Sequence, residues 1–470
     1  MAVPEDPLLS AALADLDAHL DARREARLAD FVELLRIPSI SALPEHAADM
    51  RAAAAFVAER MGGIGLEHVE VAETGGPPVV YGDWLHAEGG PTVLVYAHYD
   101  VQPVDPLDLW VKPPFEPRVE DGRVYARGAA DDKSHVHMHL QAVEAWLAVR
   151  GRLPINLRFI FEGEEESGSE NFERWVTTHQ DQLAADLVVV SDTGFLDGNL
   201  PALTSSLRGM MYAQIDVRGS DLDLHSGGFG GVVRNPAGAL ASIIASLHEA
   251  DGRVAVAGFY EAVRPPSPRL RQEMARLPFD EAAYKERIGV SELVGEAGWS
   301  PLERRGLRPT CDVNGLWGGF QGQGAKTIIP AHAHAKVSCR LVPDQDPERI
   351  FELFRRHVLD VAPSGVTVEV QLVNTGRPCV TAIDHPATAA AARAIEEVFG
   401  QAPYFICEGG SVPVTAVFSE TLDRPVVLLG FMNDDCQAHA PNESLVLDNY
   451  ERGIRTIVRY WDALATTPLG

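Results

Sequence analysis

The chain has 470 residues, about three times the ~150-residue expectation for one domain, so two domains are the starting assumption. Apolar residues make up 46% and charged residues 23%, which rules out wholesale disorder and allows a sizeable core. The formal net charge of −27 repels phosphate backbones and anionic lipid heads, so neither nucleic acid nor a membrane surface is expected as a partner.

No apolar run approaches the ~20 residues of a membrane helix, and the first thirty residues are acidic and helical in pattern, without a basic-then-apolar leader. A cytoplasmic protein is the expectation. The five cysteines (Cys311, Cys339, Cys379, Cys407 and Cys436) are odd in number and well separated. They suggest neither a disulfide framework nor a thiolate-bound zinc.

In chain order, the first forty residues read as one long helix ending before Pro38, with Phe31, Val32, Leu34 and Leu35 on its apolar face. From about residue 78 to 195, short apolar runs alternate with helical stretches. Thr92–Tyr96, Asn156–Phe161 and Asp186–Val190 read as buried strands, and Lys133–Val149 reads as a helix. That alternation predicts an α/β domain with a mostly parallel sheet and helices on both faces.

The character changes near Gly209. Met211–Val217 alternates as a half-exposed strand, and a helix opens at Asn235-Pro236. A strand at Ala333–Leu341, a helix at Pro347–Val361 and a strand at Val366–Val373 follow. This is the split βαβ pattern of a small α+β, ferredoxin-like domain. After Gly376 the α/β character returns, with a strand at Val426–Leu429 and a final helix through Ile454, Ile457, Val458, Trp461 and Leu464. The expected division is a first domain at 1–208 and 377–470, with 209–376 inserted into it.

The chemistry gathers in loops that follow strands. His98-Tyr-Asp100 follows the Thr92 run, and Asp131-Asp132-Lys133 follows Tyr125–Ala130. Glu162-Gly-Glu-Glu-Glu-Ser-Gly-Ser169 follows the Asn156 run, Ser191-Asp192 follows the Asp186 run, and Ala438-His-Ala-Pro-Asn-Glu443 lies near the tail. In parallel sheets such loops share one rim. A lone His-x-Asp is usually a hydrogen-bonded loop pair, and a glutamate run is usually a solvated face. Three adjacent acids after a buried strand need a further reason. Two imidazoles with several carboxylates and no thiolate suit zinc or a similar ion, and the carboxylate excess suits two ions sharing a bridge.

Other histidines read differently. His135, His137 and His139 lie on a predicted helix, but Val136 stands where the H-E-x-x-H motif needs glutamate. His332 and His334 alternate on a strand face and read as surface histidines. The sequence has no G-x-S-x-G elbow, no G-x-G-x-x-G after a strand and no phosphate-binding P-loop.

Four motifs occur together and in order. They are Tyr96-Ala-His-Tyr-Asp-Val-Gln-Pro103, Arg127-Gly-Ala-Ala-Asp-Asp-Lys133, Glu162–Ser169 and Glu408-Gly-Gly-Ser-Val-Pro413. From about residue 25 to 465 the chain resembles the co-catalytic di-metal (di-zinc) peptidases, a group that includes carboxypeptidase G, succinyl-diaminopimelate desuccinylase, aminoacylase-1 and the carnosinases. It is most similar to the carnosinase and cytosolic non-specific dipeptidase branch.

The resemblance implies a di-zinc catalytic domain with an inserted lid or dimerisation domain, acting on dipeptides with a free C-terminal carboxylate. The same fold also serves N-acyl- and N-carbamoyl-amino acid amidohydrolases, which is the alternative. It implies that His98 and Asp192 hold one metal, Glu166 and His439 the other, and Asp131 bridges them. Zinc is the expected metal, with manganese as a second fit. Asp100 would orient His98, and a cis peptide would follow Asp131.

Glu165 matches the general base that activates a water held between the ions. His225, in Asp223-Leu-His-Ser-Gly-Gly228, would steady the oxyanion from the partner subunit of a homodimer. Arg340 would take the substrate carboxylate, helped by Thr327, Gly410 and Ser411. Asn374 departs from the pattern: it stands where carnosinase-like relatives place a histidine near the substrate, which bears on substrate choice.

Overall fold

The structure is a computed structural model, and it describes residues 7–410 and 413–469. The chain divides into two compact units. One contains residues up to Ser205, Thr381–Phe405 and residues from Val417 onward; the other contains Ser206–Val380 and Ile406–Ala416.

In the first unit, the strands Asn156–Glu162, Thr92–His98, Leu187–Val190 and Val426–Leu428 lie side by side and run parallel. Their apolar runs are unbroken because helices cover both faces, leaving every residue from Val93 to His98 buried. The sheet is mixed rather than wholly parallel. Val79–Trp84 pairs antiparallel with Asn156–Glu162, Glu67–Ala72 pairs antiparallel with Val79–Trp84, and Ala202–Leu207 pairs antiparallel with Val426–Leu428.

The helix Lys133–Arg150 is buried continuously from Lys133 to Val143 and packs on the last helix, Leu447–Leu464. It stops at Gly151, whose φ of +67° places it in the left-handed region, where its N–H reaches the Leu147 carbonyl. The expected single N-terminal helix is instead two, Pro7–Ala22 and Arg24–Leu35. The chain breaks at Arg23 (φ −103°, ψ 5°), and buried Arg27 donates to the Leu20 carbonyl at 2.9 Å and pairs with Glu451.

The second unit has a four-stranded antiparallel sheet. Its strand order is Thr310–Gly318, His332–Leu341, Gly209–Arg218, Thr367–Gly376. Strict alternation along Gly209–Arg218 sends Met211, Ala213, Ile215 and Val217 into a core with Leu240, Ile243, Phe354 and Val358 from the helices Pro236–Ala245 and Pro347–Val361. Both helices begin with proline behind a capping side chain. Asn235 accepts from the Ala237 N–H at 2.9 Å, and Asp346 accepts from the Arg349 N–H at 2.7 Å. Residues Ile406–Ala416 group here, where Cys407 packs on Met274 and Leu307. Among the described residues, no helix is long and apolar enough to cross a membrane.

Candidate metal centre

Strand ends build the site. His98 closes the Thr92–His98 strand, in register with Glu162, and Asp192 follows the next parallel strand, Leu187–Val190. His98 Nε2 lies 3.0 Å from Asp131 Oδ1 and 3.8 Å from Asp192 Oδ1. The other oxygen of Asp131, Oδ2, is 3.0 Å from His439 Nε2, and that nitrogen is 3.2 Å from Glu166 Oε2. One carboxylate thus faces two imidazoles, one through each oxygen. Two groups of potential metal-ligand atoms result: His98, Asp132 and Asp192, and Asp131, Glu166 and His439. Within each, the atoms lie no more than 4.8 Å apart. Nitrogen and carboxylate donors in this number suit dications, whose charge offsets the acidic excess.

The electrostatics follow from that crowding. Burial by itself would depress the His98 imidazole, but its hydrogen bonds with Asp100, Asp131 and Asp192 hold its pKa well above the usual range. Hydrogen bonds that His439 donates to Asp131 and Glu166 raise its pKa to about 10. Burial tends to raise Asp131, yet His439 and His98 together keep it well below the ordinary carboxylate range. Glu165, in the short turn Glu165–Ser167, belongs to neither group of three. Burial drives its carboxyl well above the usual value, against attraction from His98, and the negative charges of Asp192, Glu166 and Asp131 add to the rise.

A second ring of groups fixes the first. His98 Nδ1 is 3.2 Å from Asp100 Oδ1, and Asp100 Oδ2 accepts the Glu166 N–H at 3.0 Å. Asp132 Oδ2 accepts the His98 N–H at 3.0 Å, and its Oδ1 takes a short hydrogen bond from His135. The far nitrogen of His135 accepts the Phe431 N–H at 2.9 Å, so the proton sits on Nδ1, facing Asp132. Gln102 donates to Glu166 Oε2 at 2.6 Å.

Buried Glu443 receives four donors. Oε2 takes Arg127 Nη1 (2.7 Å) and the Gly128 N–H (3.0 Å); Oε1 takes the N–H groups of Ala130 (2.9 Å) and Asp131 (3.0 Å). Gly128 is required in that loop: its φ is +81°, and a Cβ there would sit 2.6 Å from Val101 Cγ1. The Asp131–Asp132 peptide is cis. His439 and Asn442 also have positive φ (60° and 65°). Asn442 anchors the loop by accepting the Val111 N–H at 2.8 Å and donating to the Leu109 carbonyl at 2.9 Å.

Sequence reasoning assigned no role to Asp132, His135, Gln102, Arg127 or Glu443, although all but His135 lie within or beside the quoted motifs. The usable signal was position: Asp132 adjoins Asp131, and Glu443 ends the His439 loop. His137 and His139 are also buried, against Tyr450 and Ser191 respectively.

The remaining expected site residues belong to the second unit. His225 caps a four-residue helical turn, its Nδ1 accepting the Gly227 N–H at 3.0 Å, and Ser226 donates to the Thr327 carbonyl at 3.1 Å. His225 and Thr327 are therefore neighbours. Arg340 pairs in register with Thr310 and Met210. Asn374 faces Tyr212 at a bulge and turns its own Oδ1 onto the Thr375 N–H at 2.8 Å. His334 is held by Asp216 and stacks on Trp317, with His332 beside it. Gly410 is exposed; Ser411 lies outside the described residues.

A parallel-sheet rim carrying imidazoles and carboxylates in two groups that meet at one aspartate is the architecture of a metal-dependent hydrolase. The family model described as Peptidase family M20/M25/M40 matches residues 94–463, and the chain belongs to that family. It is a metallopeptidase.

The Cys-Gly metallodipeptidase dug1 of Schizosaccharomyces pombe is 34% identical over 86% of this chain and 86% of its own. The Beta-Ala-His dipeptidase of Homo sapiens is 32% identical over 83% of this chain and 78% of its own. Among solved structures, an M20 family metallo-carboxypeptidase, Sso-CP2 from Sulfolobus solfataricus, superposes with a TM-score of 0.83 at 32% identity. It covers 93% of this chain and 99% of its own.

Proposed function

We propose that this protein is a cytoplasmic dipeptidase that hydrolyses the peptide bond of dipeptides bearing a free C-terminal carboxylate. In this reading it works as a homodimer with two divalent ions, zinc by preference and manganese as an alternative. The observation that supports it most is Asp131, with each oxygen 3.0 Å from a different imidazole. His98 and Asp192 would hold one ion, Glu166 and His439 the other, and Asp131 both. Ions held there would supply Lewis acidity for activating water and polarising the scissile carbonyl.

The protein's own groups do the rest. Glu165, held beside the ligands but outside both groups, takes the proton of the attacking water and delivers it to the departing amine nitrogen. Asp100 keeps the His98 ring in place. In neutral His225, Nδ1 is the acceptor for Gly227, so Nε2 carries the hydrogen and can donate to the oxyanion. That residue would reach the centre of the partner subunit. In keeping with a partner, the second unit exposes Leu316, Trp317, Phe320, Leu372 and Val373, apolar area that a second copy would cover.

Arg340 would fork onto the substrate carboxylate, assisted by Thr327, Gly410 and Ser411. The names of the two dipeptidase relatives and of the metallo-carboxypeptidase all agree with cleavage next to a free carboxyl end.

The test is a panel of dipeptides, their C-terminal amides, and N-acyl- and N-carbamoyl-amino acids, assayed after chelation and reloading with zinc or manganese. Dipeptides should be turned over and their amides should not. Faster hydrolysis of acyl- or carbamoyl-amino acids would replace this reading with the amidohydrolase alternative.

A further inference from the structure

We propose that the second unit contains a site for a compact, doubly charged oxyanion, in the cavity of about 470 Å³ lined by Arg208, Arg304, Arg305 and Arg308. The balance of charge is the first argument. Among the described residues, those four guanidiniums line the cavity with two carboxylates, Glu296 and Asp312, on a chain whose net charge is −27.

Glu296 is committed within the wall. Arg308 grips it through two hydrogen bonds of 2.8 and 2.7 Å, and the same guanidinium lies over the rings of Trp299 (4.5 Å) and Tyr260 (5.2 Å). Asp312 accepts from Thr310 Oγ1 at 2.7 Å. A positive excess of this size favours an oxyanion with two charges over a neutral or singly charged ligand.

The cavity is also built rather than incidental. Arg208 is 9% exposed and donates to the carbonyl oxygens of Arg308 (3.3 Å) and Gly409 (3.4 Å), which fixes its plane. Burial, reinforced by repulsion from Arg340 and Arg305 and opposed by attraction from Asp312, brings its pKa down to about 10. On another wall, two backbone segments meet at glycines with positive φ. A Cβ on Gly252 would lie 2.4 Å from the Gly295 carbonyl oxygen, and the Ala297 N–H reaches the Asp251 carbonyl at 2.9 Å. Arg304 is tied to that wall through the Glu296 carbonyl at 2.9 Å. Guanidiniums held in fixed planes suit phosphate or carboxylate groups, which they bind through paired hydrogen bonds.

The experiment is calorimetric titration of the full-length, metal-loaded protein with inorganic phosphate and, separately, with succinate, at low salt. The variants are Arg304→Gln/Arg305→Gln and His439→Ala. Arg305 is exposed and Arg304 half-buried, so the double variant should fold, and an unchanged melting temperature verifies that. Saturable binding of either probe that survives in His439→Ala and weakens about tenfold or more in the arginine variant supports the site. Phosphate alone would mark the natural ligand as phosphorylated, and succinate alone as a dicarboxylate. No saturable binding of either probe, or binding kept in the arginine variant and lost in His439→Ala, overturns the proposal.

Discussion

Glu443 accepts the backbone N–H of Asp131 at 3.0 Å, so a carboxylate from the tail of the chain sets the position of the carboxylate at the heart of the centre. Breaking a buried ion pair by removing one partner typically costs about 3–5 kcal/mol. Glu443→Ala, which strands Arg127, should lose stability on that scale in guanidinium unfolding. Glu443→Gln keeps one carbonyl acceptor and should fold. Its metal affinity, measured by competition with a chelator, should fall by roughly 10- to 100-fold. Unchanged affinity would show that the Asp131 loop holds itself.

Glu165 adjoins Glu166 in the chain without joining either group of candidate ligands. Glu165→Ala should retain its metal content by elemental analysis while kcat drops by about 10²- to 10⁴-fold. Loss of metal along with activity would make it a ligand instead. In the parent enzyme, a chelator should abolish turnover, and zinc or manganese should restore it.

The shared-site reading makes a quantitative statement about mixed dimers. Glu165→Ala and His225→Ala homodimers should both be nearly inactive. Randomly reassembled one to one, half of the dimers would carry both subunit types, each with one intact centre, so about a quarter of parental activity should return. No recovery would place His225 outside its partner's site.

His139 is buried in the helix Lys133–Arg150, and burial, with the nearby His135, lowers its pKa from 6.5 to about 3. A group whose folded pKa lies below its unfolded one contributes stability that is fully present above the unfolded value and is lost as pH falls toward the folded one. Unfolding free energy should therefore decline from about pH 6.5 downward, at up to about 1.4 kcal/mol per pH unit for this histidine. Denaturant titrations at pH 7 and pH 5 measure the slope, and His139→Gln should flatten it. An equal slope in the variant would assign the loss to other groups.

Much of this was legible in the sequence because apolar periodicity and strand-end chemistry are local signals. The continuous run Thr92-Val-Leu-Val-Tyr96 announces a strand buried on both faces, and the observed strand extends it only to His98. The antiparallel flank through Val79–Trp84 was not legible, because a strand fully buried on both faces carries no mark of its direction. The break at Arg23 escaped notice because no glycine or proline marks it; buried Arg27 makes tertiary bonds there instead.

The edge strand Thr310–Gly318 was missed as well. Asp312, Asn314 and two glycines dilute its pattern, and most of its residues are exposed or half-exposed. In the candidate site, the structure brings together His98, Asp131, Glu166, Asp192 and His439, the residues that loop position and resemblance single out. The bracing by His135 and Glu443 was not, since a histidine inside a helix and a glutamate ending a loop look ordinary until distant segments meet.

His439 and Asp131 are 308 positions apart along the chain, yet one hydrogen-bond distance apart in space. During synthesis the ribosome must therefore release the chain through residue 439 before these two side chains can meet. A nascent chain shorter than that lacks the imidazole that faces Asp131 Oδ2, so this pair forms only after the inserted unit has been made.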